Sequence, residues 1–160
     1  MDELITFKHT YEALQRYAEI LKTQYQQKLV ENGHVASGNL MRSVQYHIDT
    51  NNKSIDISLN LEECWKWVED DTRPHFPPIK AILEWIKVKP VIPSQTYNGK
   101  LPTQEQLAFL IARKISQVGT KGTNDLEKSR DETDMTLDQI LDESLTADVN
   151  ESLDNILALG

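Results

Sequence analysis

Residues with the chemistry to catalyse a reaction or bind a metal are few and scattered in this chain of 160 residues. Its only cysteine, Cys64, stands between Glu63 and Trp65, where a neighbouring acid and burial disfavour the reactive thiolate. The histidines have no helical or strand spacing that would place two of them on one metal ion; they are His9, His34, His47 and His75. These residue types and spacings predict no catalytic residue, no metal site and no cofactor, so we expect a protein that is not an enzyme.

Two further stretches contain residue types that bind ions. Glu69, Asp70 and Asp71 are consecutive, and consecutive side chains of a helix point in different directions, so a solvated helix end is the favoured interpretation. Gly119–Thr123 reads Gly-Thr-Lys-Gly-Thr, which superficially resembles a phosphate loop. It follows a helix, however, and lacks the G-x-x-x-x-G-K-[ST] spacing, so we expect a flexible turn there.

The elements that must position these residues begin with a long helix. Apolar residues recur at steps of three and four from Leu14 to Leu29, which predicts one amphipathic helix over roughly His9–Glu31 that ends at Asn32-Gly33. Near the other end of the body, Thr103 and Gln106 have the spacing of a capping box. The helix that they open carries an apolar stripe and ends at Gly119; the stripe consists of Leu107, Leu110, Ile111 and Ile115.

Alternating apolar residues between these two helices predict an antiparallel hairpin. The first strand has its apolar residues at even positions, and the second repeats the alternation after a short polar turn; they are Leu40, Val44, Tyr46, Ile48, Ile55, Ile57 and Leu59. Two strands alone cannot bury an apolar face stably, so the first helix should pack on them. Val88–Ile92 could supply a third edge strand, although Pro90 weakens it. A neighbouring subunit is the other source of strands, which favours an oligomer.

Short helices are expected over Leu61–Asp71 and after Pro77-Pro78, where the second proline can occupy the first helical position. Trp65 and Trp67 stand two residues apart, so on a helix they cannot both face the core. One of them is expected to meet a partner. We take as candidate interface residues Trp67, Arg73, Phe76, Arg113 and Lys121.

Charge divides the chain into two predicted parts. Residues 124–160 contain 11 acidic and two basic residues, whereas residues 1–123 contain 14 acidic and 15 basic residues. We therefore predict a nearly neutral domain over 1–123 and an acidic extension over 124–160, dispensable for folding, that is either helical or disordered. Its apolar positions, from Leu137 to Leu157, follow a helical stripe that could dock on another protein. The fold class predicted is α+β.

We expect the protein to be located in a reducing compartment, without a membrane-spanning segment and without an export signal. One cysteine excludes an internal disulfide, no apolar run is long enough to span a membrane, and the acidic N-terminus lacks an apolar signal core.

Four stretches in order resemble the head–tail joining proteins of tailed bacteriophages, also called tail-completion or neck proteins. They are VASGNLMRSV (Val35–Val44), CWKWVEDDTRPHFPP (Cys64–Pro78), IKAILEWIKVKPVIP (Ile79–Pro93) and LPTQEQLAFLIARKISQVGTKGT (Leu101–Thr123). The chain is most similar to versions from phages of gut Bacteroides, including crAss-like phages. In that family the Ser-Gly-Asn-Leu segment follows the first helix and opens the first strand.

This resemblance implies a structural virion protein that is made in the host cytoplasm and forms a ring in the neck. Such rings are usually dodecameric, join the portal or adaptor to the tail proteins, and leave a channel through which genome DNA passes without sequence-specific binding. The competing class is a small DNA-binding regulator of phage or host origin, with Thr103–Val118 as recognition helix and Arg113 and Lys114 reaching phosphate. That helix has only two cations and a broad apolar face, which disfavours this class.

Overall fold

The computed structural model describes residues 7–51, 54–93 and 100–158. The chain forms an α+β fold with a long N-terminal helix, an antiparallel hairpin and further helices, which confirms the predicted class. The elements are α1 (Lys8–Glu31), α2 (Asn39–Ser43), β1 (Gln45–Asn51), β2 (Ser54–Asn60), α3 (Trp65–Glu69), α4 (Ile79–Val88), α5 (Gln104–Val118) and α6 (Asp125–Ala158). They divide between two compact units: unit 1 comprises Met1–Lys28, Ser43–Leu61 and Asp125–Gly160, and unit 2 comprises Leu29–Arg42 and Glu62–Asn124.

The core of unit 1 is the apolar stripe of α1, as its periodicity predicts. The fully or nearly buried members are Ala13, Leu14, Tyr17, Ala18, Leu21 and Tyr25. In the hairpin, Tyr46 pairs with Leu59 and Ile48 pairs with Ile57, so the apolar residues of both strands share one half-buried face. The Lys22 ammonium lies 6.0 Å from the centre of the Tyr46 ring, which brings α1 to β1.

The extension predicted as helical or disordered is a helix, α6, which lies antiparallel to α1. The Asp148 carboxylate accepts hydrogen bonds from the backbone N–H groups of His9 and Thr10, at 2.8 and 2.9 Å, near the start of α1. Towards the other end of α1, the Lys28 ammonium lies 2.8 Å from a carboxylate oxygen of Glu132. Because α6 belongs to the same compact unit as α1, the division at 123/124 stays a prediction about which part folds independently.

The face that α6 buries is polar, and its members are Asp125, Ser129, Thr133, Ser144, Asp148 and Ser152. Their burial is tolerated because the hydroxyls bond to carbonyl groups of their own helix: Ser129 donates to Asp125 at 2.6 Å, and Ser152 donates to Asp148 at 2.7 Å. Small side chains on this face also let another element approach closely. The apolar stripe of α6 lies beside this face and is partly exposed.

Two predicted strands are corrected by the structure. Leu40 lies in α2, and β1 begins at Gln45. The reason is local: Gly38 has φ 74°, and the Arg42 guanidinium donates to the carbonyl of Ser37 and the side chain of Asn39, which closes one helical turn. The proposed third strand, Val88–Ile92, is also wrong, because Val88 is the last residue of α4 and residues 89–92 form no strand. Within the described residues, the sheet has two strands.

Helix ends in the structure follow the signals in the sequence. At the end of α1, the N–H of His34 donates to the Leu29 carbonyl and that of Gly33 to the Val30 carbonyl, with Gly33 at φ 71°. The capping box of α5 is present, with Gln106 N–H donating to the Thr103 hydroxyl and Thr103 N–H to the Gln106 side chain. Pro78 is the N-cap of α4 rather than its first helical residue. The sequence also contains Asn98-Gly99, a pair that is typical of a turn, which lies outside the described residues.

Candidate assembly interface

The loop after α5 is joined to α3 and the segment after it by hydrogen bonds that backbone N–H groups donate to carbonyls and to side chains. The Thr72 N–H donates to the Thr120 carbonyl at 2.9 Å, and the Thr120 N–H donates to the Thr72 hydroxyl at 2.9 Å. The Gly122 N–H donates to the Asp71 carboxylate at 2.8 Å, and the Thr123 N–H donates to a main-chain carbonyl of α3 at 2.9 Å. We call this arrangement of residues 68–72 and 119–123 the glycine clamp.

Both glycines of the clamp are required by close contact. Gly119 has φ 73°, and a Cβ atom there would overlap the carbonyl oxygen of Thr72. A Cβ atom on Gly122 would overlap the carbonyl oxygen of Glu69. The expectation of a flexible turn is therefore wrong, because these glycines let two stretches of main chain bond directly.

The clamp fixes the end of α3 and with it the orientation of the two tryptophans. Trp65 is half-buried, whereas Trp67 is 70% exposed. The prediction that only one of them faces the core is confirmed. Trp67 lines an open groove of about 450 Å³. Most of residues 32–40 also border it, together with Glu62 and Cys64 just before α3. The far side of the groove includes Trp85 and Lys89.

A second exposed apolar cluster lies on α5 and the loop before α4. The rings of Phe76 and Phe109 have centroids 6.2 Å apart, and the two residues are 53% and 51% exposed. Leu110, which the periodicity placed in the buried stripe, is 51% exposed. The buried face of α5 is centred on Ala108 and Ala112, both 0% exposed. Two alanines four residues apart were the signal for the buried side of α5, and α5 packs against α4.

All five candidate interface residues are exposed in unit 2. The structure places the backbones of two of them near each other, because Arg73 and Lys121 are the sequence neighbours of Thr72 and Thr120, which bond to each other. Phe76 meets Phe109, one helical turn before Arg113. The set therefore includes two local groups, each combining side chains from distant parts of the sequence.

Residues that could have formed a reactive site make separate contacts instead. Burial, and next the charge of Glu62, raise the pKa of the Cys64 thiol, so its thiolate is disfavoured. His9 contacts Glu151 at 2.8 Å, His34 contacts the Thr123 hydroxyl at 3.3 Å, and His75 contacts the Arg73 carbonyl at 2.9 Å. In residues 7–51, 54–93 and 100–158, no group of three or more His, Cys, Asp or Glu is placed to hold a metal ion.

Sequence reasoning missed the polar contact face of α6 and one residue in particular. Asp148 is 1% exposed and also accepts the Thr10 hydroxyl at 2.6 Å. Burial would raise the pKa of this carboxyl, but the hydrogen bonds from Thr10 and the His9 N–H, together with the His9 charge, lower it below its usual value. Serines, threonine and aspartates repeating every fourth residue were the available signal.

Comparison of the chain with known protein families, with curated proteins and with solved structures gives no match. Of the helices in the described part of the chain, none combines the length and the apolar character needed to cross a bilayer.

Proposed function

We propose that this protein is a ring-forming structural subunit of a phage neck, which joins the portal or adaptor to the tail and leaves a channel for the genome. Support comes first from the order of the four stretches that resemble head–tail joining proteins. The observation that carries the proposal is the exposure of large apolar side chains in those stretches: Trp67 is 70% exposed, and Phe76 and Phe109 are both about half exposed. Surfaces of this kind mark sites of protein association.

The candidate interface has the composition of a binding surface. Aromatic residues and arginine contribute most strongly to association when they are covered, and the five candidates include two of each: Trp67, Phe76, Arg73 and Arg113. Lys121 adds a further cation within the glycine clamp. In the proposed ring these residues contact neighbouring subunits or the adjoining neck proteins.

The charge distribution suits a channel that DNA passes without binding. Unit 1 contains 17 acidic and seven basic residues, for a net charge of −10, whereas unit 2 contains eight acidic and ten basic residues, for a net of +2. A surface with an excess of negative charge repels the phosphate backbone. This is also why we rank the DNA-binding regulator second.

The experiment that tests the proposal is mass determination in solution combined with electron-microscopic imaging of the purified protein. We expect closed rings of many copies. Truncation of a buried interface aromatic costs about 2 kcal/mol or more, so Trp67→Ala should raise the concentration needed for assembly about 30-fold. Phe7→Ala is the matched control, because Phe7 is 52% exposed but is not one of the candidate interface residues.

Two outcomes contradict the proposal. Ring formation is contradicted if the protein stays monomeric at every concentration and neck proteins do not recruit it. A salt-sensitive mobility shift of duplex DNA that Arg113→Ala and Lys114→Ala abolish would instead establish the regulator.

A further inference from the structure

The outward face of α6 changes from acidic to apolar along its length. Asp138 and Asp142 are exposed, and they lie seven residues before Leu145 and Val149 respectively, which places each pair on one side of the helix. The apolar part continues for three more turns and consists of Leu145, Val149, Leu153 and Ile156, which are 41–51% exposed. An apolar stripe this long is more than isolated surface residues would give.

The outward face of α5 carries the complementary groups in the opposite order. Phe109 and Leu110 are both 51% exposed. Arg113 lies one helical turn after Phe109, and Lys114 lies one turn after Leu110. Towards the C-terminus, α5 therefore changes from apolar to cationic, whereas α6 changes from acidic to apolar.

We infer that, in the proposed ring, the outward face of α6 in one copy binds the outward face of α5 in the next copy, with the two helices antiparallel. Antiparallel pairing sets Asp138 and Asp142 against Arg113 and Lys114, and it sets Leu145 and its apolar neighbours against Phe109 and Leu110. Parallel pairing would set acids against apolar side chains. This inference rests on the proposed ring and identifies one contact within it.

Charge also decides which faces can pair. Two α6 faces together would oppose acid to acid if parallel and acid to apolar side chain if antiparallel. Two α5 faces would do the same with cations, so both like pairings are unfavourable. Pairing of unlike faces is heterologous, which is the type of contact that forms a ring when the rotation between successive copies closes. The α5–α6 contact therefore holds neighbouring copies together and also makes each copy bind the next one head to tail.

Charge reversal on each side provides the test, measured in the full-length protein by light scattering and imaging. The acid-reversed variant is Asp138→Lys with Asp142→Lys, and the cation-reversed variant is Arg113→Glu with Lys114→Glu. Like charges brought together across an interface are strongly disfavoured, so each variant alone should need about tenfold or more protein to assemble. The loss should be smaller at high salt.

Mixing the two variants gives the sharpest result. In a ring in which the variants alternate, every contact again joins unlike charges, so an equimolar mixture should assemble close to the wild-type concentration. The matched control is Glu143→Lys with Asp154→Lys, which reverses two exposed acids of α6 that lie off this face by helical spacing. Circular dichroism checks that every variant retains its helices.

The results that would contradict the α5–α6 contact differ from those that would contradict the ring. Wild-type rings that neither variant weakens would overturn the α5–α6 contact and leave the ring standing. Variants that are weakened singly but not restored on mixing would also overturn the pairing. A wild-type protein that never assembles, alone or with neck proteins, would remove both the contact and the ring.

Discussion

Units 1 and 2 each join segments that are far apart in the sequence, but they use different atoms. In unit 1 the joint is made by side chains: a carboxylate on α6 bonds to the first turn of α1, and small polar residues of α6 are buried. In unit 2 main-chain bonds form part of the joint, because the Thr72 N–H donates to the Thr120 carbonyl and the Thr123 N–H donates to a carbonyl of α3.

The difference shows which kind of change each joint tolerates. A main-chain joint depends on the absence of side chains at two glycines, so adding one methyl group disrupts it. A joint made by small side chains depends on their small volume and on one charged acceptor, Asp148. Most single substitutions that shorten a side chain of α6 should therefore reduce the stability only slightly. Four predictions test this contrast.

Removing α6 as a whole has the largest expected effect. Truncation after Thr123 takes away the polar face and the carboxylate at the start of α1, so we expect unit 1 to lose its cooperative unfolding transition. This reverses the expectation from charge alone that the extension is dispensable. Circular dichroism melts measure it, and a truncated chain that melts cooperatively with its helix and strand signals intact would restore the division at 123/124.

Gly119→Ala should be the most damaging single methyl group. Gly119 has φ 73° and ψ −163°, a backbone region that essentially only glycine adopts and that costs an alanine about 1–3 kcal/mol. Overlap with the Thr72 carbonyl adds about 1–3 kcal/mol. Gly33→Ala is the control, because Gly33 also has positive φ but a Cβ there would meet only the end of the Lys89 side chain. Urea unfolding should show a larger loss for Gly119→Ala, and equal losses would show that the close contact is not what matters.

Asp148→Ala should destabilise by about 1–3 kcal/mol, because the two buried donors of Thr10 and the part-buried N–H of His9 lose their acceptor. The pKa of Asp148 is lowered in the folded state, so the charged form contributes stability that is present above the unfolded pKa of about 3.9. That contribution is lost as pH falls through the lower folded pKa.

The pH dependence is checked by comparing the wild type with Asp148→Asn, which keeps the shape and removes the charge. The difference in free energy of unfolding should be constant above about pH 5 and should shrink as the pH falls below about 3.9. A difference that does not change with pH would assign the effect to packing.

Ser129→Ala should have the smallest effect, within about 0.5 kcal/mol. The Ser129 hydroxyl bonds only within its own helix, to the Asp125 carbonyl, and alanine is a good helix former. Ser129→Leu, which overfills the same buried position, should cost about 1–3 kcal/mol. If urea unfolding shows the two variants to be equally stable, close packing at this face is not required.

Patterns of local origin could be predicted from the sequence. The extent of α1, the capping box of α5, the α+β class and the outward position of Trp67 follow from periodicity, cap chemistry and spacing, all of which act within a few residues. The five candidate interface residues are exposed as well. Their role in assembly stays a prediction, as does the resemblance to neck proteins.

Only the tertiary structure decided what the glycines and the polar residues of α6 do. In a sequence, a glycine looks the same whether it lies in a flexible loop or at a close contact between two stretches of main chain. For Gly119 and Gly122, the carbonyl groups that make the contact lie about 50 residues earlier in the chain. Periodicity likewise marks the apolar side of α6 but not the side that is buried. The buried side is determined by α1. The N–H groups of its first turn have no acceptor within the helix, and Asp148 supplies one to His9 and Thr10.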